Sequence, residues 1–117
     1  MRFEDYVCEA KKTAFFKNEI PKDADPKLVS IFYCTLKLNG EAGEVAEQVG
    51  KAFRDDDGKI TPERLSNIVK EIGDVLWYLG MLSEMIGIPL SVCARTNLDK
   101  LSKRAAEGKL GGSGSNR

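Results

Sequence analysis

Two acidic pairs carry most of the chemistry this chain can do: Glu41-Ala42-Gly43-Glu44 and Glu71-Ile72-Gly73-Asp74. On a helix, a spacing of three sets the members of each pair about 4.5 Å apart along the axis and on neighbouring faces. Two antiparallel helices bearing such pairs can aim four carboxylates at one point. Charges so close repel unless a cation compensates them. The chain contains no His, so the ligands on offer are oxygens and the matching ion is hard: Mg²⁺ first, Mn²⁺ next, Ca²⁺ after them. An ordinary solvated face is the competing reading, with Glu41 paired to Lys37 and Glu47 to Lys51 at i,i+4 spacing. It suits Glu47. It suits Glu71 and Asp74 poorly, because their face continues through Tyr78, Leu82 and Met85.

The elements that must position these acids are helices. A first helix is expected from about Phe3 to Lys17, before the turn-rich NEIPKDADP. Asp25-Pro26 reads as an N-cap followed by proline at the first helical position, opening a second helix that runs to about Phe53. Thr61-Pro62 repeats the signal for a third helix ending near Ile86-Gly87, and a fourth runs from about Pro89 to Glu107. Nothing alternates at period two, so the fold is predicted all-α. Leu38, Ala42, Val45, Val49 and Ala52 form an apolar stripe on the second helix. On the third, residues 75–82 (VLWYLGML) are apolar nearly all round, which predicts burial on every side and partner subunits to provide it. Gly40, Gly43, Gly50, Gly73 and Gly80 inside helices predict close approach of backbones or ligands.

Composition narrows the function classes. The 117 residues suit one domain, residues 1–110, with a Gly/Ser-rich tail at 111–117. Lys plus Arg number 18 and Asp plus Glu 18, so no basic excess favours a nucleic-acid backbone. Cys8, Cys34 and Cys93 lack ligand spacing and read as buried thiols in a reducing compartment. There is no apolar signal core and no run long enough to span a membrane, so the expected setting is cytoplasmic.

The string GEAGEVAEQVGKAFRDD, followed by VKEIGDVLWYLGMLSEMIGIPL and RTNLDKLSKR, resembles the MazG-like nucleoside triphosphate pyrophosphohydrolases, an all-α superfamily that also holds the dimeric dUTPases. The hallmark is ExxE, a spacer, then ExxD; here the spacer, residues 45–70, is 26 residues long. The resemblance covers about residues 28–117 and implies a four-to-five-helix bundle completed by oligomerisation, with a dimer of dimers expected for a short single-domain member. It implies hydrolysis of (d)NTPs between the α- and β-phosphates to (d)NMP and pyrophosphate, as house-cleaning of the nucleotide pool. By motif, Glu41, Glu44, Glu71 and Asp74 would hold Mg²⁺ against the triphosphate, with Glu41 the candidate general base. Asn97, Lys100 and Arg104 match the family's Asn-x-x-Lys-x-x-x-Arg run, implicated in binding triphosphate oxygens. The tail resembles the family's Gly-Ser-Gly-Asp-Asn-Arg ending, with Ser115 where Asp is usual, and implies that Arg117 closes over phosphates. Thr13, Phe16, Phe32 and Trp77 are candidates for contacting the base, with Trp77 favoured as packing. A narrower dUTP or dCTP pyrophosphatase and a non-catalytic helical interaction module are the alternatives.

Overall fold

In the computed structural model, residues 1–14 and 23–108 are described and form four helices: α1 (Phe3–Lys11), α2 (Pro26–Asp55), α3 (Pro62–Ile86) and α4 (Leu90–Ala106). The starts of α2 and α3 follow from their caps. The Asp25 carboxylate accepts from the Lys27 backbone N–H at 3.0 Å, and the Thr61 hydroxyl accepts from Arg64 N–H at 3.1 Å. Each satisfies a donor that the first helical turn leaves orphaned, and each is followed by Pro at a position needing no N–H. Gly87 ends α3 in the left-handed region at φ 73°, a conformation that costs glycine least. Pro89 is extended (φ −57°, ψ 140°), and α4 leaves at 100° to α3.

The first helix stops earlier than its sequence suggests, at Lys11 rather than near Lys17. Its last turn tightens into i→i−3 bonds, and the Thr13 hydroxyl donates to the Ala10 carbonyl at 2.8 Å. A threonine that offers the backbone a local side-chain bond competes with further helix. Residues 15–17 of the expected helix lie outside the described ones.

The long helices α2 and α3 form an antiparallel hairpin closed by residues 56–61, and α1 lies along α3. Among the described residues α4 touches α1 and α3 and does not reach α2. The core is small. Val7, Ala10, Cys34 and Met81 form it, with Tyr6, Ala14, Trp77, Tyr78, Met85 and Leu90 packed around. Of the three cysteines expected to be buried only Cys34 is; Cys8 and Cys93 are exposed on α1 and α4. Gly80 is the point of closest approach: a Cβ there would stand 3.2 Å from Val7 Cγ2 and 3.6 Å from Tyr6 Cε1. At Gly40, Gly43, Gly50 and Gly73 nothing described lies within 4 Å of such an atom, so within one chain only Gly80 meets the expected close approach.

The all-round apolar stretch of α3 is likewise not surrounded within one chain. Met81 is buried, but Leu79 is 36% exposed, and Leu65, Val69 and Ile72 are more than half exposed along the same helix. Leu28, Phe32 and Leu36 repeat this at i, i+4 and i+8 on α2, with Leu36 74% exposed. Such stripes at helical spacing mark surfaces suited to other protein rather than to water. No single helix among the described residues is long and apolar enough to cross a membrane.

Candidate metal centre

The hairpin brings three of the four motif acids together. Glu41 from α2 and Glu71 and Asp74 from α3 each offer a carboxylate oxygen, and these oxygens lie within 4.8 Å of one another. Glu41 and Glu71 are half-buried, while Asp74 opens to solvent. The Lys37 ammonium stands 3.6 Å from Glu41, one helical turn back. The pairing foreseen for a solvated face is therefore present, and Glu41 belongs to the cluster as well. Three oxygens at this spacing, in a chain without imidazole, suit a hard divalent cation.

Glu44, the fourth motif acid, is turned towards Glu47. A hydrogen bond between the two carboxyls and the Glu47 charge raise the Glu44 carboxyl above its usual range, with desolvation, Glu71 and Glu41 adding to the shift. Glu47 is held in the opposite direction, chiefly by Lys51, whose Nζ lies 3.0 Å away. The field of Glu71 and Glu41 at Glu44 places it at the edge of the cluster, one turn of α2 beyond Glu41.

Two tyrosines flank the acids. Burial, followed by Tyr33 and the charge of Glu41, pushes the Tyr78 hydroxyl up to about 12. Tyr6 of α1 is raised by burial and then by Asp74. Tyr78 was visible in the sequence as a continuation of the Glu71–Asp74 face. Tyr6 was not, because only the docking of α1 at Gly80 brings it near. Arg64 was also missed: it joins the two helices near their turn, donating from Nε to Asp56 at 2.9 Å and from Nη1 to Gln48 at 3.0 Å.

The remaining candidates are scattered. Trp77 packs against the core, edge-on to Tyr78 at 4.9 Å between ring centroids, and donates its indole N–H to Thr13 Oγ1 at 3.0 Å. These two base-contact candidates therefore satisfy each other. Phe32 is exposed, and Phe16 lies outside the described residues. On α4, Asn97 and Lys100 are exposed whereas Arg104 is only 6% exposed; Arg117 lies outside the described residues. Lys100 is ten residues into α4 and Asp74 twelve before the end of α3. With 100° between the axes, their backbones are roughly 20 Å apart. No lysine side chain spans that gap.

Comparison with known proteins gives a family. The family model for the MazG nucleotide pyrophosphohydrolase domain matches residues 33–108, which include both acidic pairs and the Asn97, Lys100 and Arg104 run. The chain is 38% identical to "Gene 37 protein" of Mycobacterium phage L5 over 117 residues, covering the whole of both proteins. No solved structure matches it. With its helical hairpin, its converging carboxylates and a family match over most of its length, the chain belongs to the MazG nucleotide pyrophosphohydrolase family.

Proposed function

We propose that this protein is a Mg²⁺-dependent nucleoside triphosphate pyrophosphohydrolase, cleaving (d)NTPs to (d)NMP and pyrophosphate in the cytoplasm and so clearing surplus or non-canonical nucleotides. The observation that carries the reading is the convergence of Glu41, Glu71 and Asp74 within 4.8 Å, on the hairpin that the family model covers. These three would hold the ion, and Glu44 joins them by releasing Glu47. Mg²⁺, with Mn²⁺ as a substitute, supplies neutralisation of phosphate charge and a more acidic water. The water's oxygen is added across the α–β anhydride, pyrophosphate departs, and the water's proton passes to a carboxylate. Glu41 is our choice for that acceptor: it is half-buried and its carboxylate oxygen lies within 4.8 Å of those of Glu71 and Asp74.

The same reading makes the protein a homo-oligomer, a dimer of dimers. The exposed stripes on α2 and α3 supply the apolar contact. In the same reading a second copy brings Asn97, Lys100 and Arg104 of its α4 to the triphosphate, and Arg117 adds its guanidinium from the tail.

Product analysis tests the proposal. With Mg²⁺ and a panel of (d)NTPs, the expected products are monophosphate and pyrophosphate, abolished by EDTA and by Glu71→Gln. Turnover confined to dUTP or dCTP would narrow the enzyme to a specific pyrophosphatase. Diphosphate and phosphate would refute the bond assignment. No turnover and no Mg²⁺ binding would leave a helical interaction module.

A further inference from the structure

The Arg64 cluster shares its register with the acids. In the hairpin Gln48 faces Arg64; seven residues back along α2 is Glu41, and seven forward along α3 is Glu71. Seven residues are almost two turns, about 10.5 Å, so the two cross-helix pairs lie on the same inner face at successive levels. Arg64 is fixed at both ends. Its backbone N–H is capped by Thr61, and its guanidinium spans Asp56, at the end of α2, and Gln48, two turns inside it. The pair with Asp56 is largely shielded, with side chains 15% and 20% exposed, unlike the half-exposed Lys11–Glu84 pair between α1 and α3.

From this we infer that Arg64 is a positioning residue for the metal centre: by bridging Gln48 and Asp56 it sets the register of α2 against α3, and so the distance between Glu41 and the Glu71–Asp74 pair. The need is physical. Like charges within 4.8 Å push the two helices apart at the level of the acids. A slip of one residue moves a ligand about 1.5 Å, whereas metal–oxygen distances tolerate about 0.2 Å. Apolar contacts are non-directional and resist sliding weakly. A planar fork with two acceptors specifies a register, the best-attested use of a shielded ionic group.

This inference rests on the proposed function, and the experiment keeps the two apart. Mn²⁺ binding to the full-length protein is followed by the loss of the free-ion electron paramagnetic resonance signal, with melting temperature recorded separately in EDTA. The variants are Arg64→Met, Arg64→Lys, Gln48→Ala and, as control, Lys11→Met. Arg64→Met is expected to weaken Mn²⁺ binding on the order of tenfold, the scale seen when a group orienting metal ligands is lost. Arg64→Lys keeps the charge and one partner and should recover part of the loss. Lys11→Met should lower the melting temperature and leave Mn²⁺ binding unchanged. The sign is diagnostic, because removing a positive charge near a cation site would by electrostatics alone tighten binding. Unchanged or tighter binding by Arg64→Met, with the parent protein binding normally, overturns the inference. Should Arg64→Met fail to fold, Gln48→Ala carries the test, since it keeps the Asp56 pair and loses only the inner bond. A parent protein that binds no Mn²⁺ overturns the proposed function, and the positioning role with it.

Discussion

Replacing Glu71 by Gln should make the metal-free protein more stable while removing its response to Mg²⁺. The side chain keeps its volume and loses its charge, which relieves two carboxylate pairs, with Glu41 and with Asp74. At the outer limit of 4.8 Å each pair is worth about 0.9 kcal/mol at the dielectric of water and about 3.5 at an effective value of 20. Asp74 is exposed, so the lower figure governs its pair; taken for the half-buried Glu41–Glu71 pair as well, it sets a floor of about 1.7 kcal/mol. Screening at 0.1 M salt, where the Debye length is about 10 Å, leaves about 1 kcal/mol. For a domain of this size that is a rise in melting temperature of about 4 °C. The assay is thermal unfolding in EDTA at pH 7, repeated at higher salt and with Mg²⁺. The gain should shrink as salt rises. Mg²⁺ should reverse the order, because an ion bound only by the folded parent stabilises it by mass action. A variant less stable than the parent in EDTA, or one stabilised equally by Mg²⁺, would refute the picture of three ionised carboxylates crowded at one point.

Three further outcomes follow from the packing. The docking of α1 has a defined pH window. Glu4, bonded to Ser91 of α4, has a folded pKa below its ordinary one, so its contribution is present above the ordinary value and lost as pH falls through the lower one. Lys11 is raised by Glu84, so its contribution is present below its ordinary value and lost as pH rises through the higher one. The fluorescence of Trp77, the one tryptophan in the chain and a neighbour of Thr13, should change at both limits and stay flat between them. Gly50→Ala, with open space around it, should stabilise the fold by about 0.5–1 kcal/mol in denaturant titration, whereas Gly80→Ala should lose that gain by pushing on Val7. Val69→Glu, on the exposed stripe of α3, should sediment as a smaller species than the parent if that stripe is a subunit contact.

What the sequence disclosed and what it withheld divide along physical lines. The starts of α2 and α3 were legible because Asp25-Pro26 and Thr61-Pro62 are local signals, and Gly87 marks a stop in the same way. The end of α1 was not, because Thr13 chooses between continuing a helix and bonding Ala10 only once Trp77 is there to share its hydroxyl. The acidic pairs announced a cluster, but spacing alone does not decide between a neighbour three residues along and a partner across the hairpin. Glu44 takes Glu47, in whose favour Lys51 also acts. Periodicity assigned Asn97, Lys100 and Arg104 to one face of α4 without fixing where that helix goes. The 100° turn at Gly87–Pro89 separates them from the acids of their own chain. Tyr6 and Arg64 act through register and docking, which no local pattern encodes.

The docking of α1 on α3 also imposes an order of events on a growing chain. The acids are separated by at most 33 residues of one hairpin, from Glu41 to Asp74, and can meet soon after they are made. By contrast, Lys11 pairs with Glu84, 73 residues away, and Thr13 with Trp77, 64 residues away. At 5–20 residues per second, α1 is finished roughly 3–14 s before its partner surface at Gly80 exists. Of the four described helices, α1 therefore waits longest for the surface it docks on, and for those seconds its apolar side, Val7 and Ala10, has no fold to join.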